Sequence, residues 1–106
     1  MIAIEDFAKV ELKVGTVLEA EDIEGSEKLI KLKVDLGEEQ PRQILAGIKQ
    51  WYKSEDLKGK QAVVVANLEP RMMMGLESQG MILCADNNKP IFLKPSQKVP
   101  PGSKIR

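Results

Sequence analysis

Ile30-Lys31-Leu32-Lys33-Val34-Asp35-Leu36 alternates without a break, apolar at the even positions and charged at the odd ones. Successive side chains of a strand point to opposite faces, so this period of two predicts a half-buried strand. Ile30, Leu32, Val34 and Leu36 face a core, and Lys31 and Lys33 share the outer face. Gly37-Glu38-Glu39-Gln40-Pro41 then reads as a hairpin loop. Arg42 to Ile48 returns as a strand with Ile44, Ala46 and Ile48 inward, so the two strands pair antiparallel.

Working outward, β-branched Val14, Thr16 and Val17 predict a strand from Lys13 to Ala20, with a bend or bulge at Gly15. A helical turn over residues 4–9 precedes it and sets Phe7 against the body; Glu19 to Glu27 follows as an acidic loop. Downstream, Trp51 to Leu57 reads as a short helix, capped by Ser54 ahead of Glu55-Asp56 and ended by Gly59. Ala62 to Ala66 and Met81 to Ala85 are continuous apolar strands, of the kind buried on both sides. Between them Asn67 to Gly80 is a loop rich in Met, Gly and Pro. The tail from Asp86 wanders, with Ile91-Phe92-Leu93 as one extended segment. The order fits an all-β class: a five-stranded OB-fold barrel with a short helix before strand 4 and terminal extensions. An SH3-like barrel is the rival, and helical segments are too few for a bundle.

With 106 residues, 42% hydrophobic and 30% charged, the chain reads as a single domain over 1–106. No apolar run approaches the roughly 20 residues of a membrane span, and the N-terminus lacks a basic, then apolar, leader. A cytoplasmic protein with no membrane partner is expected. The lone cysteine, Cys84, permits no internal disulfide and reads as a small buried hydrophobe. The sequence has no histidine, which excludes Ser-His and Cys-His nucleophile pairs and His-based metal sites. Neither a phosphate-binding loop nor a dinucleotide fingerprint occurs. Glu19, Glu21, Asp22, Glu24 and Glu27 do not match an EF-hand, and a solvated loop accounts for them. No catalytic residue, metal or cofactor is expected.

Residues 1–40 carry five Lys and eleven acids, net −6, and residues 41–106 carry eleven Lys or Arg and five acids, net +6. The overall charge is zero, so any anion-binding face must be local. In OB-folds the binding surface is the face of strands 2 and 3 with the loops joining strands 1–2 and 4–5. That surface holds Lys31, Lys33 and Arg42 for phosphates. The 67–80 loop adds Asn67, Arg71, Ser78 and Gln79 as donors, with Met72-Met73-Met74 as adaptable apolar surface. The plainer readings are a solvated strand face for the lysines and core or interface packing for the methionines. Trp51 and Tyr52 offer rings for base stacking, although such a pair more often anchors a helix.

Several segments in order carry a resemblance: Asp6-Phe7-x-Lys9-Val10-Glu11-Leu12-x-Val14-Gly15, Ser26-Glu27-Lys28-Leu29, Arg42-Gln43-Ile44-Leu45-Ala46-Gly47-Ile48, Leu57-x-Gly59-Lys60, Asn67-Leu68-x-Pro70-Arg71 and Gly75-x-x-Ser78-x-Gly80-Met81. Together they resemble the tRNA-binding domain that occurs at the C-terminus of bacterial methionyl-tRNA synthetases, as an archaeal beta subunit, and in stand-alone structure-specific tRNA-binding proteins. The resemblance implies an OB-fold and non-catalytic binding of tRNA by shape. It also implies homodimerisation through terminal segments, here about 87–106, and methionyl-tRNA synthetase as a further partner. Carried over by position, Asn67, Arg71, Ser78 and Met81 form the binding loop, with Lys31 and Lys33 on the adjoining strand face. Glu69 and Met72 stand where the family often has cations, which implies weak, salt-sensitive binding. The alternative is a protein-interaction or chaperone-like module of the same fold with weakened RNA affinity.

Overall fold

The computed structural model describes residues 1–106. One short helix, α1 (Ile4–Phe7), precedes nine strands: β1 (Leu12–Asp22), β2 (Ile30–Asp35), β3 (Arg42–Ala46), β4 (Gln61–Val65), β5 (Arg71–Met73), β6 (Leu76–Ser78), β7 (Met81–Ile82), β8 (Cys84–Asp86) and β9 (Pro90–Phe92). The sheet order β3-β2-β1-β4-β7 is antiparallel throughout and curls into a nearly closed barrel, as the OB-fold reading expects. β5–β6 and β8–β9 are separate hairpins.

The alternation of β2 becomes the centre of the core. Ile30, Leu32 and Val34 are wholly buried and meet Val17, Leu36, Ile44, Leu57 and Val64 inside the barrel. Each such side chain contributes about 1.5–3 kcal/mol on burial. β1 lies at the middle of the sheet. Gly15 faces inward there, and a Cβ on it would sit 2.5 Å from Val34 Cγ1 and 3.1 Å from both Leu36 Cδ2 and Val64 Cγ2. Gly15 thus serves close packing rather than a bulge; the irregularity falls between Val17 and Glu19, at Leu18.

The barrel closes without a regular ladder. Along the free edge of β3, the Gln79 amide donates to the Gln43 carbonyl (2.7 Å). The Gln43 amide donates to Gln79 Oε1 (3.0 Å), Gln43 Nε2 to the Glu77 carbonyl (2.9 Å) and the Leu45 amide to Ser78 Oγ (3.0 Å). Arg42 adds bonds from Nη1 to the carbonyls of Gln79 (3.1 Å) and Ala66. Side chains therefore satisfy backbone groups that an open edge would leave unpaired.

Several local expectations are corrected. Residues 51–57 are not one helix: the amides of Trp51 and Tyr52 bond the Ile48 carbonyl, Lys53 is extended, and only Ser54–Asp56 forms a 3-10 turn. Tyr52 is held elsewhere, its hydroxyl donating to the Pro90 carbonyl (2.7 Å) and its ring 5.1 Å from that of Phe92. Ser54 donates to Asp22 Oδ1 instead of capping. The acidic stretch begins inside β1, because Glu19, Glu21 and Asp22 pair with β2. The 67–80 loop contains a hairpin whose turn places Met74 (φ 54°) and Gly75 (φ 75°) in the left-handed region, as tight two-residue turns require. The 81–85 run breaks at Leu83, β7 pairing with β4 and β8 with β9, which leaves Cys84 half-buried. Phe7 is 48% exposed rather than packed on the body.

The tail does not wander either. β2 leaves one edge of β1 free below Thr16, and residues 102–105 take it. The Val14 amide donates to the Ser103 carbonyl, the Gly102 amide to the Val14 carbonyl and the Ile105 amide to the Leu12 carbonyl. The buried amide of Gln61 latches Val99, accepting from its N–H (3.2 Å) and donating to its carbonyl (2.6 Å).

Candidate nucleic-acid interface

The outer face of β2 is built from the odd residues of the founding alternation. Residues directly opposite in an antiparallel sheet share a face, so Glu21, Lys31 and Leu45 form one transverse row and Glu19, Lys33 and Gln43 the next. The first row continues through the seam: Leu45 binds Ser78 Oγ, and Ser78 pairs with Arg71 across the β5–β6 hairpin. Ser26 Oγ accepts from the amides of Lys28 and Leu29, and Lys49 Nζ donates to the Ser26 carbonyl, which fixes the loop beyond β1. Gly25 of that loop approaches Met74 at the hairpin tip. The face of β2 and β3 is therefore flanked on two sides, as a shallow trough.

Arg71 is exposed and in no ion pair; Lys33 is half-buried and also unpaired. Lys31 Nζ lies 3.6 Å from Glu21 Oε2, a partly exposed surface pair worth about 1 kcal/mol or less that a phosphate can displace. Arg42 is different. Its Nε and Nη2 grip both oxygens of Glu38 (2.8 and 2.7 Å) while Nη1 serves the two seam carbonyls. The hydrogen bond from Arg42 holds the Glu38 carboxyl below the ordinary glutamate range and, reciprocally, raises Arg42. Asn67 is also engaged, Oδ1 accepting from the Glu11 amide and Nδ2 donating to the Lys9 carbonyl. Ser78 is buried at 3% exposure. Met72, Met74 and Met81 are exposed and Met73 is half-buried, so none of them belongs to the buried core.

Of the sequence-derived residues, Lys31 and Lys33 share the outer face of β2 and Arg71 pairs with Ser78 on the β5–β6 hairpin, while Arg42, Asn67 and Ser78 spend their polar atoms within the chain. Sequence reasoning overlooked Gln43 and Gln61, whose partners lie 34 to 45 residues away, and Glu38, whose role depends on a seam that no periodicity marks. No three His, Cys, Asp or Glu side chains converge as a metal site, and no helix is long and apolar enough to cross a membrane. Desolvation raises the Cys84 thiol above its ordinary range.

Residues 12–104 match the family described as "Putative tRNA binding domain". A methionine–tRNA ligase of Methanothrix thermoacetophila is 54% identical over 107 residues, covering 100% of this chain and 16% of that protein. One from Methanocella arvoryzae is 50% identical over 105 residues, covering 99% and 15%. The chain thus spans about a sixth of the length of the curated relatives it matches. Among solved structures, a MetRS-related protein from Pyrococcus horikoshii superposes with a TM-score of 0.92 at 37% identity, covering 100% of this chain and 98% of that one. Chaperone CsaA from Bacillus anthracis gives 0.89 at 34% identity, covering 100% and 99%.

Proposed function

The chain belongs to the tRNA-binding domain family, and from that premise we propose that residues 1–106 form one non-catalytic module that delivers tRNA to a methionyl-tRNA synthetase, as its C-terminal domain or beta subunit. The observation that carries this reading is the row Lys31–Leu45–Ser78–Arg71, with Lys33 beside it, set in a trough between two fixed loops. Lys31, Lys33 and Arg71 contact phosphates, and Met81 offers apolar surface. Arg42, Asn67 and Ser78 act by holding the trough in shape. Binding is weak, because Glu69 and Met72 stand where cations would meet phosphate, and salt-sensitive, because it rests on cation–phosphate contacts. The setting is cytoplasmic.

The protein acts as a homodimer through its terminal segments. Ile2, Ile4, Phe7, Val10 and Ile105 are exposed apolar side chains, and Ile105 is hydrogen-bonded beside Leu12, which gathers both chain ends on one side. Two linked copies double the sites available to one tRNA.

A salt titration of folded tRNA tests the trough. Micromolar binding should fall with salt, and Lys31→Ala/Lys33→Ala/Arg71→Ala should flatten the log–log slope by about two to three. Unchanged affinity and slope would remove the trough from the RNA path. The exposure of Met72 and Met74, with the likeness to a chaperone, favours a second reading as a protein-interaction module; a stable dimer with no tRNA affinity at low salt would select it.

A further inference from the structure

Four of the five methionines fall within residues 72–81, three of them consecutive, and the register of the β5–β6 hairpin sorts those three. Met73 pairs with Leu76, and both are half-buried. Met72 pairs with Glu77 on the opposite face of the hairpin and is 64% exposed. Met74, at the turn, is 57% exposed. It nevertheless makes a contact: its Cε lies 4.0 Å from where a Cβ on Gly25 would stand. A methyl group thus bridges the hairpin tip and the loop beyond β1, the two flanks of the trough. The hairpin that carries Arg71 is steadied at its tip by a thioether open to solvent.

Oxidation turns a flexible apolar thioether into a polar, chiral sulfoxide, and exposure governs which sulfur an oxidant reaches. We propose that Met72 and Met74 form a reversible oxidation site, at which a hydroperoxide loosens the hairpin from the 23–29 loop and lowers the affinity for RNA. The sulfur attacks one oxygen of hydrogen peroxide, and an S–O bond forms as the O–O bond breaks. The sulfur gives up two electrons, and the departing hydroxide takes the proton of the transferred oxygen and leaves as water. The sulfoxide of Met74 is bulkier than the thioether and draws water into its contact with Gly25, so the flanks part. Cys84 competes poorly for the oxidant, because it is half-buried and its raised thiol supplies little thiolate. Only the loss of affinity rests on the tRNA-binding reading; the oxidation site does not.

The full chain is treated with limiting hydrogen peroxide and mapped by peptide mass spectrometry. Met72 and Met74 should gain oxygen about fivefold faster than Met73, or more. The tRNA affinity of the oxidised chain should fall about threefold or more, and methionine sulfoxide reductases A and B should restore it. Met72→Leu/Met74→Leu keeps Met1, Met73, Met81 and Cys84 as targets, and its tRNA affinity should be the same before and after peroxide. Equal rates at the three consecutive methionines, an unchanged affinity in the oxidised wild type, or an equal loss in the double variant each overturns the proposal. If the reduced chain binds no tRNA at low salt, the tRNA-binding reading fails, and hydrogen exchange of the 71–78 hairpin judges the site. Faster exchange after oxidation in wild type but not in the double variant sustains it; exchange unchanged by oxidation overturns it.

Discussion

Arg42→Lys separates charge from geometry at the barrel seam. The substitution keeps the cation, so an Arg42 that served RNA phosphates directly would lose little. It cannot reproduce a planar fork that grips both Glu38 oxygens while a third nitrogen serves the carbonyls of Ala66 and Gln79. A bond involving a charged group is worth about 1.5–3 kcal/mol. Here Arg42 and Glu38 side chains are 23% and 36% exposed, so water screens the pair and replaces part of what is lost. With one or two bonds retained by lysine, the net loss is about 2 kcal/mol. For a domain of this size that corresponds to about 8 °C in Tm. The assay is thermal unfolding by circular dichroism, paired with tRNA titration well below the transition. The expected result is a fall in Tm of that order with tRNA affinity within about twofold of wild type. A variant that melts within about 2 °C of wild type while losing tenfold in affinity would refute the seam role and return Arg42 to the RNA surface.

Gly15→Ala should destabilise by about 1–3 kcal/mol through overpacking against Val34, Leu36 and Val64, read as a lower urea midpoint at unchanged m; an unchanged midpoint contradicts the close approach. The depressed Glu38 carboxyl contributes stability that is present above the unfolded-state pKa and lost as pH falls through the folded one. Unfolding titrations should therefore show an acid-side loss below the ordinary glutamate range that Glu38→Gln removes, and a persisting loss of equal size assigns it to other groups. Met74→Asn should raise Tm by a few degrees, because asparagine tolerates the left-handed backbone better than methionine; a lower Tm means that Met74 contributes packing that outweighs the strain. Cys84 should alkylate with iodoacetamide more slowly than free glutathione at pH 8, owing to its raised thiol, and an equal rate contradicts its desolvation.

What the sequence made legible is what local periodicity encodes. Ile30 to Val34 announces both strand and facing, because one face is buried and the other wetter; Arg42 to Ile48 announced a strand that ends at Ala46, and Leu45 on its outward face is buried as well. Residues whose conformation depends on distant partners stayed hidden. Trp51-Tyr52 has helical propensity, yet Tyr52 is drawn to Phe92 and Pro90, 38 or more residues later, which ends the helix before it forms. Gly15 carried the correct signal of a special backbone site but the wrong mechanism, since bulge and close approach leave the same residue. The proline-rich tail looked irregular because its bonds go to β1 and to Gln61, and only the fold brings these within reach. At the candidate site, residue type nominated Lys31, Lys33 and Arg71 as donors but could not tell them from the groups that Arg42, Asn67 and Ser78 commit to the chain itself.

The edge of β1 occupied by residues 102–105 bears on how the molecule is made. Leu12 and Val14 receive their last hydrogen-bond partners from the far end of the chain, and such non-local pairing slows folding. During synthesis β1 emerges some ninety residues ahead of its partner at Gly102 to Ile105, with that edge bare in between. The barrel can collapse around Ile30, Leu32 and Val34 as soon as β4 arrives, but completing β1 must await Gly102 to Ile105. Until the tail docks, β1 keeps an unpaired edge, the kind of edge on which another chain can pair.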